Sequence, residues 1–370
     1  MGEENKNWIR EKLEEAFHAA VLASLNSEKA KEKAATVTQK YPGMPKEALA
    51  HILTKQAARK TMVEGAANGA AITAVESTLV SPEPASKPLV VTGVAGLIVS
   101  DVAYTTKVQM QLLLEIGEIY ECPFDIDDED DVWLILKTSF GLRGTERVGA
   151  YGRFVFTEAA RKQFRAFLRN HGIRRAAQKA VAQIAGKEVA KHVSERALLR
   201  LIPLANAVIG AVFNRWVTLR VGYWAKVKAK IRASTFGKID ALSAKQPDAL
   251  VLVLPTIFLI GTADDRLVDN TLTLYAQAAK RANLSLEQIK SVDAIIHHEE
   301  FEELLFGRLK DITDRAAKED LLDIAITSAS AARLAFSSPH HEALERLSKQ
   351  MDLTYIAADF ERRISYLTKQ

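Results

Sequence analysis

The sequence has a single cysteine, Cys122, among its 370 residues. A disulfide within the chain is therefore impossible, and a zinc site built from four cysteines is excluded. Reduced thiols suit the cytosol, and the acidic N-terminal segment lacks the basic start and apolar run of a signal peptide, so we predict a cytoplasmic protein. Proline and glycine are also scarce, at 10 and 18 residues, which favours long helices over many short strands.

Motifs of the common enzyme classes are missing as well. The sequence contains no G-x-S-x-G turn, no phosphate-binding loop and no G-x-G-x-x-G. His297 and His298 precede Glu299 without the H-E-x-x-H spacing by which two histidines bind zinc on one helix face. We therefore predict that the protein is not an enzyme, and we expect no cofactor.

Long hydrophobic runs are absent too. The longest uncharged stretches are residues 88–100, 201–214 and 249–263, each shorter than the about 18–20 residues that a membrane-spanning helix needs. Segments of this length are either buried in a protein core, or they enter a membrane interface or line an apolar cavity. The sequence leaves both interpretations open.

What the chain does contain is a strongly basic central block. Residues 161–238 hold 18 lysines and arginines against two glutamates, a net charge of +16. The remainder carries −12, because the whole chain carries +4. Such a block attracts phosphate-bearing partners, either lipid head groups or nucleic acid, unless the acidic regions neutralise it within the fold.

Helical periodicity predicts an all-α protein with two helical domains. Apolar residues between positions 8 and 25 recur at steps of three to five, and turn signals such as those at residues 41–43 and 81–84 separate the helical segments. The acidic run 125–131 directly precedes the apolar segment VWLIL. We expect its carboxylates to cap a helix that begins there.

One long stretch resembles a known family. It has a glycine-containing apolar segment, a long helix with spaced polar residues, a tyrosine and an acidic pair, which are here Gly93, Gly96, Asp101, Gln109, Glu115, Tyr120, Asp127 and Asp128. A later apolar run and basic aromatic helix add Pro203, Gly210, Ala211, Asn214 and Arg215. Over about residues 30–235 the chain resembles the EcsC family of bacterial proteins, although Cys122-Pro123 stands where that family usually has a glycine.

The resemblance implies a helical domain without an agreed enzymatic activity, which we place at residues 1–240. It marks Asp101, Gln109, Glu115 and Asn214 as the polar groups of the family motif. Polar groups among apolar neighbours need hydrogen-bond partners.

The composition of the basic helix points to a lipid surface. Residues 215–230 combine tryptophan, tyrosine, arginine and lysine, which suits a phospholipid interface. We predict a peripheral protein at the inner face of the cell membrane, with basic helices on anionic phospholipid and apolar small-residue helices that hold acyl chains or dip into the leaflet. The predicted lipid- or anion-binding residues are Arg174, Arg175, Arg215, Trp216, Arg220, Trp224, Lys226, Lys228 and Lys230.

Residues 245–370 form the second predicted domain. Its apolar helix, its Ala263-Asp264-Asp265 turn and its long amphipathic helix resemble a TerB-like tellurite-resistance domain, although Ala331-Ala332 replaces the second Asp-Gly turn. That resemblance implies a helical bundle. It also makes Asp264, Asp265 and Asp269 candidate ligands for a divalent cation, with helix capping as the alternative.

Two other functions remain open. The basic block with its tryptophans would also suit a nucleic-acid-binding protein, although no base-reading motif accompanies it. The acidic C-terminal domain would suit a scaffold that recruits protein partners in membrane transport or stress response.

Overall fold

The computed structural model describes residues 25–77, 87–139, 206–263, 269–332, 338–354 and 356–368. Within these ranges the regular structure is entirely helical and no strand occurs, which confirms the predicted all-α class. The helices are α1 (Ser27–Lys40), α2 (Lys46–Ser77), α3 (Lys87–Ile119), α4 (Glu129–Ser139), α5 (Asn206–Lys245), a 3₁₀ helix (Pro247–Leu252), α6 (Val253–Gly261), α7 (Asp269–Ala282), α8 (Leu286–Ile296), α9 (Phe301–Lys310), α10 (Arg315–Ala332), α11 (Ser338–Gln350) and α12 (Ala357–Thr368).

The chain divides into two compact units, and the division lies inside α5. Among the described residues, the first unit holds α1 to α4 and α5 as far as Lys226, and the second holds residues 120–122, α5 from Val227, and α6 to α12. α5 ends just before Pro247, which lacks the amide hydrogen that a helix interior needs. The assignment of residues 1–240 and 245–370 to an EcsC-like and a TerB-like domain stays a prediction.

In the first unit, α3 is the central helix. α1, α2 and α4 each pack against it, and Met110, Leu113 and Ile116 recur at a spacing of three on its fully buried face. α1 is capped by Asn26, whose side chain accepts a hydrogen bond from the Lys29 amide at 2.9 Å. The cap satisfies an amide at the helix start that has no partner within the helix.

α4 begins at carboxylate caps, as the acidic run 125–131 predicts. Asp128 Oδ1 accepts a hydrogen bond from the Asp131 amide at 3.0 Å. Asp131 is itself buried, and its Oδ2 accepts a hydrogen bond from the Asp125 amide at 2.8 Å. The predicted capping role is confirmed for Asp128, whereas Asp131 holds the turn that precedes the helix.

α2 and α5 run antiparallel and approach closely at glycines. Thr54 lies against Gly222, and Gly65 lies against Gly210. A methyl group added to Gly65 would lie 2.5 Å from the Gly210 carbonyl oxygen, and one added to Gly210 would lie 2.6 Å from the Gly65 oxygen. Only residues without a side chain let the two backbones come this near.

In the second unit, α6 forms the centre of the core. It packs against α7, α8, α9, α10 and α11, and all of its residues except Phe258 are buried. The uncharged stretch 249–263 is therefore largely core, as the first of its two interpretations predicts. No helix in the described ranges is long and apolar enough to cross a membrane.

The glycine contact predicts that Gly210→Ala destabilises the first unit. Because the new methyl group meets backbone rather than a flexible side chain, we expect a loss of about 1–3 kcal/mol in the free energy of unfolding. Gly96→Ala in α3 is the matched control: nothing lies within 4 Å of its added methyl group, and we expect a gain of about 0.5–1 kcal/mol.

The measurement is urea-induced unfolding followed by tryptophan fluorescence. All four tryptophans, Trp8, Trp133, Trp216 and Trp224, precede Val227, so this signal follows the first unit. Equal stabilities of the two variants would contradict the close contact.

Candidate functional site

A row of polar side chains lies buried along one face of α3. Asp101, Thr105 and Gln109 are spaced by four residues, and their exposed fractions are 1%, 8% and 2%. Because residues four apart share a helix face, these groups point in one direction. Buried polar groups are costly without partners, so the contacts of this row determine what the site can do.

The partners of Asp101 and Gln109 come from α5, and α2 joins them through Thr61. Asn214 Nδ2 donates a hydrogen bond to Asp101 Oδ1 at 2.7 Å, and Gln109 Nε2 donates one to Thr218 Oγ1 at 3.2 Å. The hydroxyl groups of Thr218 and Thr61 are 2.9 Å apart. The interface of α2, α3 and α5 is thus joined by hydrogen bonds between side chains.

Glu115 lies further along α3 and pairs with α1. The Lys33 ammonium group donates to both carboxylate oxygens, at 2.9 and 2.7 Å, and Glu115 is 2% exposed. Burial raises the pKa of the Glu115 carboxyl above its usual range, because the desolvation outweighs the attraction of the Lys33 and Lys60 charges. The pair orients α1 but costs stability when it is ionised.

All four predicted polar groups therefore meet partners that the sequence analysis did not name or did not pair. Asp101 and Asn214 contact each other directly, Gln109 contacts Thr218, and Glu115 contacts Lys33. Thr61, Thr105 and Thr218 were missed. A usable signal was the spacing of Gly210, Asn214, Thr218 and Gly222, which places small and polar residues on one face of α5.

The opposite face of α5 is apolar and exposed. Val208, Val212 and Trp216 recur every four residues and expose 65%, 61% and 52% of their surface. Arg215 and Arg220 flank them and are also exposed. The Arg220 guanidinium lies over the Trp216 ring, 5.4 Å from its centroid, a cation–π contact that keeps charge beside the apolar surface.

α2 repeats this arrangement. Val63 exposes 59% of its surface, and Ala67, Ala70 and Ala74 continue the exposed side of the helix, opposite the buried Thr61. Helices of proteins surrounded by water normally turn apolar residues inward and polar residues outward. On α5 from Val208 to Thr218 the inward side holds Asn214 and Thr218 and the outward side holds valine and tryptophan, while α2 combines a buried Thr61 with an exposed Val63.

The predicted lipid- or anion-binding residues differ in how far they are exposed. Arg215, Trp216 and Arg220 lie on the exposed side of α5, and Trp224 and Lys228 are half-buried. Lys226 and Lys230 are 7% and 5% exposed. Arg174 and Arg175 lie outside the described residues, and their predicted role stays untested by the structure.

Lys230 has a structural contact within the second unit. Its ammonium group donates a hydrogen bond to the Tyr366 carbonyl oxygen at 3.0 Å, and it lies 4.8 Å from the centroid of the Tyr366 ring. Lys230 thereby stabilises the C-terminal end of α12, where exposed carbonyls favour a cation.

The predicted cation ligands Asp264 and Asp265 lie outside the described residues. Asp269 is the first residue of α7, and its side chain also lies outside the described part. Among the residues that the structure describes, no group of three or more histidine, cysteine, aspartate or glutamate side chains could hold a metal ion.

Comparisons with known proteins found no relative of this chain. No protein-family model matches it, no curated protein matches its sequence, and no solved structure matches its fold. The resemblances to the EcsC and TerB-like families therefore stay predictions.

The contact between Asp101 and Asn214 predicts strong energetic coupling. Asn214→Leu removes a donor from a buried carboxylate, and we expect it to lower the free energy of unfolding by about 2–4 kcal/mol. Asp101→Leu together with Asn214→Leu should cost less than the sum of the single changes, with a coupling of about 1–3 kcal/mol. The check is a double-mutant cycle in urea, read by tryptophan fluorescence; a coupling near zero would contradict a direct contact.

The raised pKa of Glu115 predicts a pH-dependent contribution to stability. Between about pH 4.3, the unperturbed glutamate pKa, and the raised pKa, the folded state binds more protons than the unfolded state. The free energy of unfolding therefore falls as the pH rises through this window.

Glu115→Gln should remove this fall, so the stability of the wild type relative to the variant should decrease with rising pH. Urea unfolding at several pH values between 4 and 7 measures the difference. Glu118, half-buried and with a pKa also raised by burial, provides a comparison through Glu118→Gln, for which we expect a smaller slope. An increase with pH in the free energy of unfolding of the wild type relative to Glu115→Gln would overturn the assignment.

Proposed function

We propose that this chain is a non-enzymatic, peripheral membrane protein that binds surfaces containing anionic phospholipid through the exposed face of α5. The observation that carries the proposal is the reversed polarity of α5 between residues 208 and 218. Asn214 and Thr218 point inward, whereas Val208, Val212 and Trp216 point outward. An apolar outward face is favourable where the surroundings are apolar.

The residues beside this face fit the headgroup region of a bilayer. Tryptophan is enriched at membrane interfaces, and arginine can bury its stem while its guanidinium reaches phosphate. Trp216 with Arg215 and Arg220 provides both within two turns of α5. A helix that lies in the interface inserts its apolar face only about 5–10 Å, so no spanning segment is required.

The interior of the first unit supports the same proposal. Helices surrounded by apolar groups gain little from the hydrophobic effect when they associate. They associate instead through side-chain hydrogen bonds and through glycines that let their backbones approach closely. The contacts of Asp101, Gln109 and Thr61 with α5, and the approach of Gly65 to Gly210, belong to this kind. We propose a cytoplasmic location at the inner face of the cell membrane, where anionic lipid and the basic block attract each other.

The test is co-sedimentation of the full chain with vesicles of phosphatidylcholine and phosphatidylglycerol. Val212→Glu should weaken binding about tenfold or more, because one buried valine contributes about 1.5–3 kcal/mol and the new carboxylate repels anionic lipid. Arg220→Glu should weaken binding to anionic vesicles and leave binding to pure phosphatidylcholine unchanged.

Leu286→Glu in α8 is the matched control, since Leu286 is 72% exposed but has no part in the proposed surface. We expect no change in its binding. If Val212→Glu and Leu286→Glu sediment alike, the exposed face of α5 is not the membrane-binding surface. A different partner would replace lipid in the proposal if two results were found together. The wild type would bind no vesicles but capture nucleic acid or a protein partner, and Val212→Glu would abolish that capture.

A further inference from the structure

Three helices of the first unit change from charged to uncharged surfaces at one level along their axes. The Thr61 hydroxyl of α2 donates a hydrogen bond to the Asn214 carbonyl oxygen of α5 at 3.3 Å, and Gly65 lies against Gly210. Because the two helices are antiparallel, the residues of α2 after Thr61 lie beside the residues of α5 before Asn214. We call the level of Thr61 and Asn214 the boundary.

α3 is aligned with the same boundary. Its Asp101 contacts Asn214, and its Gln109 contacts Thr218, so α3 runs parallel to α5. The uncharged residues 88–100 of α3 and 206–213 of α5 therefore lie on the same side of the boundary as residues 62–77 of α2. We call this side of the three helices the apolar end.

Exposed residues of the apolar end are uncharged wherever the structure describes their surface. They are Val63, Ala67, Ala70, Ala74, Gly96, Ser100, Val208 and Val212. Glu64 is half-buried there, and its Oε1 accepts a hydrogen bond from the Asn68 side chain at 3.2 Å. The exposed surface of this end therefore suits apolar surroundings.

Basic residues lie on the other side of the boundary. Within about two turns of it, the exposed charged residues of α2, α3 and α5 are Lys55, Arg59, Lys60, Lys107, Arg215 and Arg220. None of them is acidic, and Trp216 lies at the same level. A band of cations with a tryptophan, next to an apolar end, fits the headgroup region of an anionic membrane.

The exposed apolar residues of α2 and α5 point in opposite directions. Gly65 and Gly210 face each other. Val63 precedes Gly65 by two residues, and two residues turn a helix by about 200°. Val212 follows Gly210 by two residues, so both valines point away from the contact and away from each other. A flat surface reaches one of these two sides, whereas a membrane that the apolar end enters surrounds both.

We propose that the apolar end of α2, α3 and α5 enters one leaflet of an anionic membrane with the helix axes inclined to its plane. Lipid chains then contact Val63 on α2 as well as Val208 and Val212 on α5, and the basic band lies among the phosphates. This inference rests on the proposed function and adds two things to it, the orientation of the helices and a part for α2.

Distances along the helices agree with this arrangement. Val208 lies seven residues before Arg215, and Ala67 lies seven residues after Lys60, each about 10 Å along its axis. Interfacial helices bury apolar groups about 5–10 Å deep. Arg215 and Lys60 therefore stay at the headgroups while Val208 and Ala67 reach the acyl chains.

The experiment uses the full chain with a nitrobenzoxadiazole label on one introduced cysteine. Cys122 is the only native cysteine and is buried, so exposed cysteines react selectively and the unchanged chain is the labelling control. The labelled variants are Val63→Cys and Val212→Cys, with Gln56→Cys as the matched control. Gln56 is exposed on the same face of α2 as Val63, about 10 Å away across the boundary.

On vesicles of phosphatidylcholine and phosphatidylglycerol, the labels at Val63 and Val212 should brighten and be quenched by lipid with a nitroxide on its acyl chain. The label at Gln56 should be quenched more strongly by a nitroxide on the headgroup. Vesicle binding with equal acyl-chain quenching at Val63 and Gln56 would overturn the inference and leave the proposed function intact. Absence of vesicle binding by the wild type would remove both.

The charged residues at the helix ends provide a second test. Glu76 and Lys87 belong to the apolar end of α2 and α3, where a charge near lipid chains is unfavourable. Lys87→Leu should therefore strengthen vesicle binding about tenfold, although it removes a positive charge. Lys55→Leu, in the basic band, should weaken it about fivefold. Weaker binding of both variants would place Lys87 outside the lipid chains and overturn the inference.

Discussion

The contact between the backbones of α2 and α5 at Gly65 and Gly210 is the constraint on which the first unit depends. Because a helix turns about 100° per residue, the face of α5 that carries Gly210 also carries Asn214 and points at its neighbours. Residues displaced by two positions point the opposite way, which places Val212 in solvent. The inward position of the polar residues of α5 and the outward position of its apolar residues therefore follow from the same helix geometry.

Such an interior is not explained by stability alone. Buried carboxylates such as Asp101 and Glu115 cost free energy even when they are well paired, and apolar replacements of similar shape are often as stable or more so. What directed hydrogen bonds provide is a defined register between helices that meet through small residues. Asn214 reaches Asp101 at 2.7 Å only when α5 lies at one position along α3.

The sequence predicts the helical class and the capping of α4, because these follow from local spacing and from turn chemistry, whereas the polar motif is what the resemblance to the EcsC family implies. It does not predict that the division of the two units falls inside α5, since the basic block continues through Lys226 and Val227 to Lys238 without a proline. Nor does it identify Lys33 as the partner of Glu115, 82 residues away, because pairing at that separation is decided by packing. The spacing of four between Val208, Val212 and Trp216 is visible in the sequence. Helical periodicity alone does not show which face of α5 is buried, so their exposure could not be predicted from it.

The positive charge of the basic block divides into two kinds in the part of α5 that the structure describes. Arg215 and Arg220 are exposed beside apolar side chains, whereas Lys226 and Lys230 are buried. Each exposed basic residue near an anionic membrane contributes about 1 kcal/mol, while full burial of one large apolar side chain contributes about 1.5–3 kcal/mol. Under the proposed membrane binding, apolar insertion of the described face of α5 therefore outweighs electrostatic attraction. Under the same proposal, a strong salt dependence of vesicle binding would have to come from the eleven basic residues between 161 and 200, so the steepness of that dependence would report how far the proposed binding surface extends beyond α5.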